Sequence, residues 1–151
     1  MGSLYIVVPL HKDCTDWLDR EGISYPAAAD PRMPSPRELK GILLGLDGFK
    51  ATFRDEQPPG KWSVAIESTD PEKGEWSSLY VSDYISDEEP CDFYFSKGHA
   101  EVAFTVVKRL TPICGAMVVC TDCDAWPVVV RPEDSVEDLV TQLENPWPED
   151  S

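Results

Sequence analysis

The chain reads as an α+β protein, a mostly antiparallel mixed sheet with its helices packed mainly on one face. Three observations lead there. Alternating segments between residues 49 and 85 are joined by short turns, as antiparallel neighbours are. The stretch from Cys91 to Val130 combines a strand, a helix and a hairpin and is the most apolar part of the chain, so the core should form there. The order as a whole, β-α-α-β-β-β-β-α-β-β-α, groups its strands in runs.

Each element has its own signal. Leu4 to Val8 is wholly apolar, suited to a strand covered on both faces. After Pro9 to Lys12 turns, Asp13 is positioned to cap a short helix through about Arg20, with Gly22 as its stop. Ile23 to Pro34 is rich in Pro and Ala, has no period, and reads as a long surface loop. Ser35-Pro36-Arg37-Glu38 then supplies an N-cap, Pro at the first helical position and a capping-box Glu. Leu39, Ile42, Leu43 and Leu46 form the apolar face behind it.

Phe49, Ala51 and Phe53 alternate with Lys50, Thr52 and Arg54; after Pro58-Pro59-Gly60, Trp62, Val64 and Ile66 alternate with Ser63, Ala65 and Glu67. Leu79, Val81 and Ile85 alternate with Trp76, Tyr80 and Tyr84, and Phe93 and Phe95 with Asp92 and Tyr94. Ala103, Val106, Val107 and Leu110 fall at helical spacing, with Pro112 and Gly115 expected to end that helix. Two β-branched runs flank a turn containing Asp122 and Asp124 and predict a hairpin. Pro132 or Ser135 opens a last helix with Val136, Leu139, Val140 and Leu143 on its apolar face, and Asn145-Pro146 stops it. A single domain over 1–146 followed by an acidic tail, 147–151, is the expected organisation.

At 151 residues, 42% apolar and 10% aromatic, the chain has enough core-forming residues for a globular fold. Thirteen Lys and Arg against twenty-eight Asp and Glu give a net charge of −15. A field of that sign repels nucleic acid and anionic membrane and attracts basic proteins. No stretch approaches the ~20 apolar residues of a membrane span. The N-terminal MGSLYIVVPLHKD lacks a basic n-region and a myristoylation pattern, so a cytoplasmic location is expected. Five cysteines, an odd number, then read as mostly reduced thiols.

Several residues invite a chemical reading. Cys120-Thr121-Asp122-Cys123 has the spacing of a zinc knuckle or redox pair. It lacks a second ligand pair for zinc, and it ends a strand where a redox cysteine would open a helix, so structural thiols are expected. His11 and Cys14 could pair as base and nucleophile, yet no oxyanion-hole signature accompanies them. His99 reads as a surface residue, and two histidines leave little for acid–base work. Gly-rich phosphate loops, Gly-x-Ser-x-Gly elbows and His-Glu-x-x-His are absent, and no metal or cofactor is expected.

Strand parity carries the functional expectation. With Leu79, Val81, Phe93 and Phe95 in the core, Trp76, Tyr80, Tyr84 and Tyr94 face away from it. Tyr and Trp dominate interface hot spots. The alternative is that a helix or loop covers these aromatics. Asp83, Asp87, Glu88, Glu89 and Asp92 crowd the ends of the same strands, a solvated loop or the acidic rim of a binding face.

The small acidic α+β chain, with DYISDEEPCDFYF and CGAMVVCTDCDAWPVVV, resembles the immunity proteins of bacterial toxin systems. The resemblance implies a protein that binds a cognate toxin, often a basic nuclease, and blocks its active site. The expectation is therefore a binding protein that neutralises a basic protein partner through the nine aromatic and acidic residues just named. The other class is a thiol-dependent enzyme or redox protein using Cys120 and Cys123 or Cys14.

Overall fold

The computed structural model describes residues 4–27, 30–56, 61–82, 86, 88–121 and 127–144. Eleven elements follow in the expected order: β1 (Leu4–Pro9), α1 (Lys12–Glu21), α2 (Pro36–Leu44), β2 (Phe49–Glu56), β3 (Lys61–Ser68), β4 (Trp76–Ser82), β5 (Asp92–Gly98), α3 (Ala100–Cys114), β6 (Met117–Thr121), β7 (Val128–Val130) and α4 (Val136–Glu144). The fold is α+β. One seven-stranded sheet runs β2-β3-β4-β5-β1-β6-β7. Every neighbouring pair is antiparallel, so the mostly antiparallel mixed sheet that was expected is wholly antiparallel. The reason is the place of β1. It fills the gap between β5 and β6, so the α3 crossover joins two strands that never touch each other.

Period-two patterning sorts the strand residues into two clusters. Val7, Trp62, Val64, Ile66, Leu79, Val81, Phe93, Phe95, Met117 and Val119 enter the main core with Leu39 and Leu43 of α2, Leu139 and Val140 of α4, and most of α3. Val118, between Met117 and Val119, points the other way and packs with Leu10, Cys14, Leu18, Ala116 and Val129. Helix α1 therefore lies on the opposite face, over the β6–β7 end, while α2, α3 and α4 cover the first face. No helix among the described residues is long and apolar enough to cross a membrane.

Local chemistry sets the helix ends. At α1 the cap is His11, whose Nδ1 accepts the Cys14 N–H at 3.3 Å. Asp13, expected as the cap, falls in the first turn, where its charge favours the N-terminal dipole. Gly22 adopts φ 73° and donates to Asp19 O, while Ile23 donates to Leu18 O. The capping box of α2 is complete: Ser35 Oγ accepts from the Glu38 N–H at 3.2 Å, and Glu38 accepts from the Ser35 N–H at 3.0 Å. Helix α3 runs through Pro112 and ends at Cys114, with Gly115 as its C-cap, so of the two expected stop residues Gly115 ends it and Pro112 does not. Pro112 cannot donate to Lys108 O, and the Thr111 hydroxyl donates there instead, at 2.7 Å.

Glu38 also takes a two-pronged contact from Arg32, at 2.8 and 2.9 Å. The Arg32 hydrogen bond, with help from Ser35, lowers the Glu38 carboxyl from 4.5 to about 2 against the opposing effect of burial. A depressed folded-state pKa stabilises the fold above the unfolded value, and that contribution disappears as pH falls from 4.5 towards about 2. Each side chain of the pair is one-third exposed, so solvent screening limits the contribution to about 1 kcal/mol. Glu38→Gln should therefore lower the urea midpoint at neutral pH, and the gap from wild type should narrow across that acid window. A gap independent of pH would show that the carboxylate charge contributes nothing.

Candidate functional site: an open aromatic sheet face

Helix α1 covers only one end of its face of the sheet. Over β2 to β5 and the near edge of β1, several outward residues remain accessible: Trp76 is 42% exposed, Tyr94 37% and Ile6 37%, while Ser63 among them is buried. The register sets Tyr94 and Ile6 in a cross-strand row, with Arg54 opposite Ser63, Ser63 opposite Tyr80, Tyr80 opposite Tyr94 and Tyr94 opposite Ile6, while Trp76 stands apart from it, opposite Glu67. Tyr80 and Tyr94 stack with centroids 5.5 Å apart and planes 20° apart. Stacked rings in neighbouring strands stand up from the sheet, so the face presents ring edges and hydroxyls.

Trp76 is held by a bulge. The register slips between Ser77 and Ser78, which pair with Gly98 and Ser96 and leave Lys97 unopposed. Lys97 and Gly98 have φ of 65° and 88°. Ser77 Oγ donates to Lys97 O at 2.8 Å, and the His99 N–H donates to Trp76 O at 2.8 Å. His99 is thus more than a surface residue. Its Nδ1 accepts the Trp76 N–H at 3.2 Å, and its ring meets the indole edge-on at 6.4 Å.

Among the described residues, then, the sheet brings Trp76, Tyr80 and Tyr94 to one face, together with Asp92, which is exposed and of the same parity. Asp83, Tyr84 and Asp87 lie outside the described residues. Glu88 departs from the expected rim. It pairs with Arg37 of α2 at 2.6 Å, on the layer that covers the other face. Its segment is drawn there because the Cys91 N–H and thiol both donate to Pro34 O, at 2.9 and 3.4 Å. Glu89 is exposed in the same loop.

The open face itself is mixed in charge. Lys50 and Arg54 at the β2 edge offset Glu67 and Asp92, so most of the −15 resides elsewhere. Two hollows mark this face: a small one of about 130 Å³ beside Arg54, Ser78 and Tyr80, and a groove of about 440 Å³ between β1 and β5. A third, of about 450 Å³, opens where the sheet's loops meet α3 and α4, and Asp47, Asp70, Glu75, Glu101 and Glu137 line it with Lys73. Those carboxylates are scattered over ninety positions of sequence, so no local signal announces them.

The four described cysteines are poor nucleophiles. Cys14, Cys91, Cys114 and Cys120 are buried free thiols. Burial pushes Cys14 and Cys114 up to about 11 and Cys91 up to about 12, and it also raises Cys120. His11 faces the helix backbone, so its Nδ1 is occupied by the cap. Cys123 lies outside the described residues. Among the described residues no group of three or more His, Cys, Asp or Glu could hold a metal ion.

Comparison with protein-family models, with curated proteins and with solved structures finds no match for this chain.

Proposed function

We propose that this protein is an acidic binding module that docks a basic protein partner on the open sheet face, as an immunity protein docks its toxin. The observation that carries the reading is the exposed aromatic patch, a Tyr80–Tyr94–Ile6 row with Trp76 further along β4, on a sheet whose other face α2, α3 and α4 cover. An antiparallel sheet commonly leaves one face solvated, but that face is then polar, and a large exposed apolar patch marks an interaction site. Two stacked tyrosines lose little entropy on binding, since each has few rotatable bonds and already packs on its neighbour. The net charge of −15 supplies long-range attraction for a cation-rich partner and disfavours nucleic acid and anionic membrane. Four buried free thiols suit a reducing cytoplasm.

The test is affinity capture followed by surface plasmon resonance with the identified partner. Trp76→Ala and Tyr94→Ala should each raise the off-rate and cost at least ~2 kcal/mol of binding. Glu89→Lys should slow association, most visibly at low salt, with little change in off-rate. An acidic partner, or rates unchanged by both aromatic substitutions, would reject the reading.

A further inference from the structure

We infer that the groove between β1 and β5 is an arginine-binding subsite, the point at which a basic partner anchors on the open face; this deepens the protein-binding reading above and rests on it. Leu4, Ile6, Val8, Asp92 and Tyr94 line the groove, and its volume is about 440 Å³. Register builds it. Tyr94 lies opposite Tyr80 on one side and opposite Ile6 on the other. One face of its ring is stacked on Tyr80, so the other face is turned towards β1 and walls the groove. Asp92, two residues back along β5, has the same parity and sets a carboxylate beside that wall.

A side chain entering here meets three environments in sequence: an aliphatic floor, a π face and an anion. Leu or Phe would fill the floor and desolvate the carboxylate with nothing to pair it. Lys would bring charge, but its ammonium is compact and strongly hydrated and cannot lie flat on a ring. Arginine matches all three. Its methylenes lie on Ile6 and Val8, its guanidinium plane on Tyr94, and its paired N–H groups on the carboxylate. Asp92 is exposed and belongs to none of the ion pairs among the described residues. The net charge of −15 favours a cationic visitor over an apolar one.

The experiment is an amide-resolved NMR titration of the intact chain with N-acetyl-arginine methylamide, its neutral isostere N-acetyl-citrulline methylamide, and N-acetyl-leucine methylamide. The arginine probe should give saturable shifts at residues 4–8 and 92–94 and bind at least about fivefold more tightly than the citrulline probe. Asp92→Asn should abolish that preference, and Tyr94→Leu should weaken the arginine probe about threefold or more. Both positions are exposed, and an unchanged spectrum elsewhere reports that each variant is folded. Equal binding of the leucine probe would overturn the assignment in favour of an apolar occupant. Shifts spread over the acidic surface without saturation at the groove, or no shifts there, would also overturn it. A captured basic partner that binds wild type and Asp92→Asn equally, yet loses affinity with Trp76→Ala, would remove the arginine subsite and leave the protein-binding reading standing. An acidic partner would remove both.

Discussion

Truncating Phe104 to Ala is expected to cost ~3–5 kcal/mol of folding stability. Phe104 is fully buried on α3, the helix that touches α2, α4, β1, β4, β6 and β7. Phe104 belongs to the main core cluster, to which the sheet and the helices both contribute, so the surroundings have little freedom to collapse into a cavity there. The lost transfer free energy and the unfilled volume then add. Equilibrium urea unfolding, followed by far-ultraviolet circular dichroism, measures the loss. Glu137→Ala on the exposed side of α4 serves as the comparison and should stay within ~0.5 kcal/mol of wild type. A Phe104→Ala cost below ~1 kcal/mol would mean the core is not organised around α3.

The second large effect is expected at Gly98, where Ala should destabilise by about 3 kcal/mol or more, combining backbone strain with overpacking. Two physical conditions coincide there. Its φ of 88° is one that L side chains rarely adopt, and a Cβ would run into Trp76 O and come within 2.7 Å of Ser77 Cα. Both obstacles are backbone, fixed by the bulge and by the His99 N–H bond to Trp76 O, so neither can swing aside. Gly74 isolates the strain from the clash. Its φ is 63° with nothing within 4 Å of a built Cβ, so Gly74→Ala should cost only ~1 kcal/mol. Similar losses at the two positions would show that the close approach to β4 contributes nothing. Because the bulge also holds Trp76, Gly98→Ala should disturb the Trp76 and His99 amide resonances in any fraction that remains folded.

Much of the architecture was legible in local chemistry. Ser35-Pro36-Arg37-Glu38 declares a helix start through donors and acceptors three residues apart, and the capping box forms as written. Trp62, Val64 and Ile66 declare which side of their strand is buried, because successive side chains point to opposite faces. The same parity argument placed Trp76, Tyr80 and Tyr94 on the outward side. The misses were local competitions decided by neighbours. His11 reached the α1 backbone before Asp13 could cap it, and the Thr111 hydroxyl supplied the donor that Pro112 lacks, which let α3 continue.

What the sequence by itself determined is the order and type of the elements and the inward or outward side of residues in β2 to β5, whereas β1, expected to be covered on both faces, leaves Ile6 exposed. Those properties depend on contacts within a few positions of the chain, and periods of 2 and 3.6 record them directly. Only the tertiary structure decided which outward residues stay open. A strand's period is the same wherever it lies in a sheet, so nothing in LYIVVP says that β1 sits between β5 and β6, or that Ile6 meets Tyr94. Nor does the amphipathic pattern of α1 say which half of the second face it covers. Packing against Val118 and Val129 took it to the β6–β7 end, so among the described residues no helix covers β3 to β5 on that face. Glu88 shows the same limit. Its neighbours in sequence suggested the aromatic rim, but the bonds of Cys91 to Pro34 carried it to Arg37 on the other layer, because side-chain charge follows the backbone that long-range contacts have fixed.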